Sequence, residues 1–418
     1  MEWSLAQYEG PCACGETHAV LTRFLRVGTG VTRELPDFLA ASGLMGGVVV
    51  CDENTRPYAA VLKELLAQWL AEPRLFVFPA ARLHADEAAV ARLEAALPTH
   101  TGFLVAAGAG TIHDITRYAA HSRGIPLISY PTAASVDGFA SSVSAMTWHG
   151  FKKTMPGTAP LCIVADTGVF ARAPYRMTAS GVSDVLGKYT ALLDWQVSQL
   201  VTGEPLCPRI LHMSLMAADE VRASMPLLRA GGAEAMEKLM RALLLSGLAM
   251  QMWGNSRPAS GAEHHLAHLW EMAVISPSVD ALHGESVGVA ALLILSHYKQ
   301  LLSEEFQEDP PPSPPPEARL REVFGARYAA VAAENDPDPL EALPPGRLMA
   351  CLPTVRALVA KLPEPEPLAA DMAAAGCPVT LAQLGLPSTV LPDSLTFAPY
   401  IRRRLTLLRL MGRLRPGS

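Results

Sequence analysis

The sequence predicts an α/β domain on a parallel sheet, residues 1–173, followed by an all-α domain, residues 174–418. Two patterns predict it. From residue 43 to about 170, short β-branched runs alternate with helical stretches, and strands separated by such stretches must lie parallel and be covered on both faces. Beyond Pro174 the strands disappear and apolar residues recur at spacings of three and four, as in Met236, Leu239, Met240, Leu243 and again Val355, Leu358, Val359, Leu362. The composition agrees: 418 residues with 50% hydrophobic and 18% charged can bury more than one core. The 35 prolines and 31 glycines point to defined turns rather than a repeat or fibre.

In order, the expected elements are a strand at Val48–Val50, a helix over Tyr58–Leu70, a strand at Leu75–Phe78 and a helix over Ala85–Leu97. A strand at Phe103–Ala107, a helix over Ile112–His121 and a strand at Ile125–Tyr130 follow. Open parallel sheets of this kind bind ligands at the carboxyl ends of their strands. In the helical half, Ser303–Pro316 is acidic and then proline-rich, which suits an exposed, semi-rigid loop. Ile401–Arg415 carries six arginines and reads as a helix that docks Ile401, Leu405 and Leu408 and leaves its charges in water.

Charge and cysteine usage narrow the function. A net charge of −6 gives no basic face for nucleic acid, so small-molecule chemistry is favoured. The opening MEWSLAQYEG has no basic stretch followed by an apolar core, and no apolar run reaches the ~18–20 residues of a membrane span, so a cytoplasmic protein is expected. Seven cysteines, an odd number scattered along the chain, make no disulfide framework and are expected as free thiols. Cys12-Ala-Cys14-Gly-Glu-Thr-His18 has the look of a metal hook, but it supplies three soft ligands with no partner pair downstream.

The chemistry is expected at three strand ends and two histidine clusters. Phe103–Ala107 runs into Gly108-Ala109-Gly110-Thr111-Ile112-His113-Asp114 and a helix, a turn that can cradle phosphate on unpaired N–H groups or simply connect strand to helix. It is not the GxGxxG fingerprint, because His113 stands where the third glycine would. The strand Ile125–Tyr130 ends in Pro131-Thr132-Ala133-Ala134-Ser135-Val136-Asp137, and Val48–Val50 delivers Asp52, an acid that could accept ribose hydroxyls. Farther on, His264 and His268 share a helical face, so both could bind one metal, or one could bind it while the other works on substrate. Asp184 could complete the set, and His283 follows in Leu-His-Gly-Glu.

Six stretches, GAGTIHDITRY from Gly108, PTAASVDGFASSVSA from Pro131, GFKKT from Gly150, GVSDVLGKY from Gly181, SRPASGAEHHLAH from Ser256 and Leu282–Gly284, together resemble the glycerol-1-phosphate dehydrogenases. The likeness is to the bacterial branch of that family, within the superfamily of dehydroquinate synthases and metal-dependent alcohol dehydrogenases, and spans nearly the whole chain. It implies a nucleotide-binding α/β domain and a helical metal-binding domain, with the active site in the cleft between them. It implies NAD(P)H-dependent reduction of dihydroxyacetone phosphate to sn-glycerol 1-phosphate, for phospholipid-type biosynthesis, by a cytoplasmic homodimer. Asp184, His264 and His283 would ligate one divalent ion, zinc or nickel, while Asp137, Asp184 and His268 contact substrate. Gly110, Thr111, Ile112, His113, Asp114, Thr132, Ala133, Ala134, Ser135 and Ser141 would hold NAD(P)H, and Asp52 its adenosine ribose. Ser183 stands where the family usually has glycine.

The expected proton donor is His268 or a water it orders, because an imidazole near its ordinary pKa of ~6.5 exchanges protons at neutral pH. Lys152, Lys153, Lys188 and Arg257 are the cations available for a substrate phosphate. Alternative readings are a sugar-phosphate cyclase or another polyol-phosphate dehydrogenase on the same scaffold, and a non-catalytic nucleotide- or metal-binding relative.

Overall fold

Val48-Val49-Val50-Cys51 is apolar at every position because both faces of its strand are covered. In the computed structural model, which describes residues 3–416 apart from 69, 71–72, 278, 309–314 and 316, all four are buried. A short hairpin, β1 (Gly10–Pro11) and β2 (Thr17–His18), opens the chain. The sheet then takes β3 (Phe24–Gly28), β4 (Gly47–Asp52), β5 (Arg74–Phe78), β6 (Phe103–Gly108), β7 (Leu127–Pro131) and, after an antiparallel hairpin of β8 (Val143–Trp148) and β9 (Phe151–Pro156), β10 (Pro160–Asp166). Its order is β3-β10-β7-β6-β4-β5, and every pairing is parallel.

The two faces are filled by alternate residues. Val49 and Cys51 of β4, with Phe103 and Val105 of β6, pack under α1 (Leu35–Ser42) and α2 (Arg56–Leu66). Val48, Val50, Leu104 and Ala106 pack under α3 (Glu87–Ala96) and α4 (Gly110–Arg123). From β4 the chain moves outward to β5 and then returns to the other side of β4 as β6, so strand order reverses between β4 and β6. In open α/β sheets a ligand crevice forms at such a reversal, here outside the strand ends that carry Asp52 and Gly108.

The helical half runs through α5 (Thr167–Phe170), α6 (Tyr175–Leu186), α7 (Lys188–Thr202), α8 (Pro208–Arg229), α9 (Ala233–Trp253), α10 (Ala262–Glu271) and α11 (His283–Lys299), followed by shorter helices. The β8–β9 hairpin ties it to the sheet: Met146 packs among the α3–α4 side chains, and Phe151 packs among those of α7, α10 and α11. No helix among the described residues is long and apolar enough to cross a membrane.

Of the six strands in the main sheet, two lie outside the sequence pattern, β3 and β10, and they form one edge and its neighbour. The C-terminal stretch also differs from expectation. Its helix covers only Leu407–Met411, opened by Thr406 Oγ1 accepting from the Arg409 N–H, and Leu414–Pro416 pairs as a strand with Phe306–Glu308. Ile401, Leu405 and Leu408 do dock, but of the six arginines only Arg403 and Arg415 stay exposed: Arg402 donates to the Lys152 carbonyl, Arg404 to the carbonyls of Ser256 and Ser260, and Arg409 to Asn335 and the Pro399 carbonyl. Half of the expected loop over Ser303–Pro316, residues 309–314 and 316, lies outside the described residues.

α11 crosses α6 closely because two of its positions are glycine. A Cβ on Gly284 would stand 2.0 Å from the Ser180 carbonyl oxygen, and one on Gly288 would stand 2.6 Å from Ser183 Cβ. Gly288 therefore makes the room that Ser183 needs, and Asp184 keeps its place beside α11. Gly284→Ala must push the two helices apart. A loss of about 1–3 kcal/mol is expected, read as a lower Tm together with weaker metal retention, because His283 moves with the helix.

Candidate metal and nucleotide site

Three helices meet at one point, α6 with its last turn and α10 and α11 with their first. Asp184 comes from α6, His264 from α10 and His283 from the start of α11, and one donor atom from each lies within 4.8 Å of the others. His264 Nε2 stands 3.6 Å from Asp184 Oδ1, too long for a hydrogen bond and about right for two ligands of one ion. Asp184 Oδ1 is buried with no hydrogen-bond partner, a costly state for a carboxylate oxygen unless a cation completes it. Its other oxygen accepts from the Asp137 N–H at 2.9 Å.

The imidazoles are aimed by carboxylates. His264 Nδ1 lies 2.7 Å from Glu263 Oε1, and His283 Nδ1 lies 2.7 Å from Glu271 Oε1. A carboxylate holding the Nδ1 proton leaves Nε2 with its lone pair for the metal and raises its basicity. Neither glutamate was assigned a role from sequence. The available signals were local: Glu263 adjoins His264, and Glu271 follows His268 by three on the same helix. A second cluster, His268, Glu271 and His283, overlaps the first through His283, and the Glu271–His283 bond accounts for it.

The charges are interlocked. Burial works against ionised Asp184, yet Lys188, His264 and His283 hold its carboxyl well below the usual range. Burial also opposes a charge on His264, but Asp184 and Glu263 lift it to about 9. Lys188 is fully buried, 2.8 Å from Asp137 Oδ2 and 3.6 Å from Asp184 Oδ1, and also donates to the carbonyls of Asp184 and Ala259. Ser246 donates to the same Asp137 oxygen at 2.8 Å. Lys188 is thus spent on two carboxylates, and it corrects its candidacy for a substrate phosphate.

Arg257 is corrected likewise. It grips Glu204 with two bonds of 2.9 Å and reaches the Leu405 carbonyl, holding the C-terminal segment in place. Lys152 lines the cavity and stands 3.1 Å from Glu271 Oε2, whereas its strand neighbour Lys153 does not line it. His268 faces the same cavity as His264 and His283, with ring centroids 6.0 and 5.6 Å away. Burial, opposed by Glu271 but reinforced by Arg402, pushes its imidazole well below the ordinary range. The expectation of an imidazole titrating near neutrality is therefore corrected: His268 is neutral there.

The cavity, about 290 Å³, extends from this cluster to the glycine turn. Gly110, Thr111, His113, Asp114, Ser135 and Ser141 line it. Ala109 offers α4 no side-chain cap, so the first N–H groups of a 14-residue helix face the cavity mouth with their dipole. Ser135 Oγ is buried without a partner, a hydroxyl left for a ligand. Ile112, Ala133 and Ala134 have buried side chains and can reach a ligand only through backbone, while the Thr132 N–H is taken by the Gly108 carbonyl. His113 is locked between the Ala109 carbonyl and Ser129 Oγ, and burial pushes it down to about 3. Asp52 stands at the end of β4, its Oδ1 held by Thr55 N–H and Oγ1.

Sequence reasoning also missed Arg117. Fully buried, it joins Asp114 to the carbonyls of Gly138, Phe139 and Val143, fixing the Asp137 loop against α4. Burial raises Asp114 to about 6 in spite of it.

Residues 26–174 match the model of the iron-containing alcohol dehydrogenase family. A glycerol-1-phosphate dehydrogenase [NAD(P)+] of Bacillus licheniformis is 34% identical over 98% of this chain and 94% of its own length. One from Geobacillus stearothermophilus is 32% identical over 96% of each. Among solved structures, a putative alcohol dehydrogenase from Ralstonia eutropha superposes with a TM-score of 0.64 at 17% identity, over 95% of this chain and 96% of that one, which shows the shared fold.

Proposed function

The chain belongs to the glycerol-1-phosphate dehydrogenase family, and from that membership we propose that its cleft reduces dihydroxyacetone phosphate reversibly to sn-glycerol 1-phosphate at the expense of NAD(P)H. The observation that carries the reading is the convergence of Asp184, His264 and His283 beside the uncapped start of α4. The donor set suits a divalent cation, zinc or nickel, since it offers two imidazoles and an otherwise unsatisfied carboxylate oxygen. When bound, that cation supplies Lewis acidity toward a carbonyl oxygen and the coenzyme supplies the hydride.

The chain's own residues position the reactants. The N–H groups at Gly110 and Thr111, with the Ser135 hydroxyl, receive the coenzyme's pyrophosphate region, and Asp52 at the neighbouring strand end receives the ribose. Asp137, held by Lys188 and Ser246, presents its remaining surface to the substrate hydroxyl. His268, neutral, donates or accepts one hydrogen bond at the substrate oxygen or through an ordered water. His268→Asn should lower kcat while leaving bound metal in place, and an unchanged kcat would remove it from that role.

Lys152 takes the substrate phosphate, supported by its place on the cavity wall and by its half-engaged ammonium. One charge-assisted bond is worth about 1.5–3 kcal/mol, so Lys152→Met should raise the KM for dihydroxyacetone phosphate by roughly tenfold or more, with little change for NADH. Equal changes in both constants would place the phosphate elsewhere.

The same reading includes a cytoplasmic homodimer. Met216 and Leu227, 56% and 58% exposed, lie three turns apart on one face of α8, two apolar side chains that a second copy could cover. Light scattering should give twice the chain mass, and a monomer mass would remove the dimer. The reaction itself is tested by following NADH and NADPH oxidation with dihydroxyacetone phosphate and identifying the product's handedness. Formation of sn-glycerol 1-phosphate supports the assignment. Phosphate elimination without net coenzyme oxidation would instead mark a cyclase, and coenzyme binding without turnover a non-catalytic relative.

A further inference from the structure

The hook at Cys12, Cys14 and His18 has a fourth member that the sequence hid. Cys207 stands at the start of α8, far along the chain, and its sulfur meets the other three donors: all four lie within 4.8 Å of one another. Cys207 Sγ is 3.6 Å from Cys12 Sγ and 3.2 Å from His18 Nε2, and His18 Nε2 is 3.4 Å from Cys14 Sγ. A tetrahedral zinc ion with sulfur at ~2.3 Å and nitrogen at ~2.0 Å separates its ligands by roughly 3.4–3.8 Å, so these separations are close to those of its edges. They are far too long for a disulfide, whose sulfurs lie at ~2.05 Å.

The surroundings are those of a built site. His18 is buried, and its Nδ1 lies 3.1 Å from the Met252 carbonyl oxygen at the end of α9. That carbonyl takes the Nδ1 proton and turns Nε2, with its lone pair, toward the three sulfurs. The loop between β1 and β2 is shaped to present both thiols: the Cys12 N–H donates to the Glu16 carbonyl, the Gly15 N–H donates to the Cys12 carbonyl, and Gly15 takes a φ of +93°. Four neutral groups left to themselves would place a histidine nitrogen among three weak thiol partners, a poor use of a buried polar atom.

We propose that Cys12, Cys14, His18 and Cys207 bind one structural zinc ion, separate from the catalytic centre. Three thiolates and one imidazole form a closed, soft tetrahedral set that selects zinc over harder divalent ions and leaves no open position for a substrate. Binding replaces three thiol protons by one cation, with no change of oxidation state. The ion fastens the N-terminal hairpin to α8 and α9, where Trp3, Leu5 and Tyr8 already rest against the helical core.

Cobalt substitution of the intact protein tests this without any mutation. The Asp184, His264 and His283 centre contains no sulfur, so a near-ultraviolet thiolate-to-cobalt charge-transfer band, with intense tetrahedral d–d bands, reports the cysteine site alone. Its appearance is the expected result. Titrating the native zinc protein with a mercurial in the presence of a zinc indicator should release one zinc per chain as these thiols are modified. The double variant Cys12→Ser, Cys14→Ser should release none, keep its coenzyme oxidation at 25 °C and unfold at a lower temperature. Cobalt bands without thiolate character, or mercurial modification of the wild type without zinc release, would overturn the site. Either outcome leaves the dehydrogenase reading untouched, since that depends on other ligands.

Discussion

Replacing His264 by alanine is expected to lower kcat/KM for dihydroxyacetone phosphate by about 10³-fold or more. The imidazole is one of the three proposed protein ligands, and Lewis-acid stabilisation of a developing alkoxide is worth several kcal/mol, about 4 of which correspond to that factor. Glu263 should give the graded counterpart. It touches the cation only through His264 Nδ1, at 2.7 Å, so Glu263→Gln should weaken metal retention by roughly 10–100-fold and recover activity when metal is supplied in excess. Metal content by mass spectrometry, read beside kcat/KM at several metal concentrations, separates the two. A His264→Ala protein that keeps wild-type activity after chelation would remove the centre from the chemistry.

Lys188→Met is the second large effect, and it falls on stability. Lys188 is buried between Asp137 and Asp184, and removing it strands two carboxylates in a low-dielectric site. Breaking a buried ion pair from one side costs about 3–5 kcal/mol, which for a chain of this length lowers Tm by roughly 3–6 °C. The loss should be largest in chelated protein and smaller with metal bound, because a cation on Asp184 offsets part of the missing charge and ligand binding stabilises by mass action. Calorimetry of both forms checks this. Equal Tm values for variant and wild type in the chelated state would show that Lys188 does not hold the two acids.

The sequence made the βαβ half legible because its central strands are covered on both faces and read as uninterrupted apolar runs, such as Val48–Cys51. β3 was harder: it is an edge strand whose alternating burial includes Arg26. Asp184, His264 and His283, the proposed metal ligands, were legible through the family resemblance, and His264 also through its spacing from His268 on α10. What aims them was not, since the Glu271–His283 bond and the Asp137–Lys188–Asp184 bridge join elements that only the fold brings together. The C-terminal arginines show the same limit. Six basic residues with a helical apolar stripe read as a wet amphipathic helix, but acceptors at Lys152, Ser256 and Ser260 draw Arg402 and Arg404 inward and break the helix before Leu407. Cys207 is the furthest case, 189 positions from the His18 it meets.

The most direct measurement is anomalous diffraction from crystals of active, metal-reconstituted enzyme, collected at the absorption edge of the added ion. The expected result is a peak about 2.0–2.2 Å from an Asp184 oxygen and from the Nε2 atoms of His264 and His283. An active crystal with no peak among those three side chains would contradict the proposed centre.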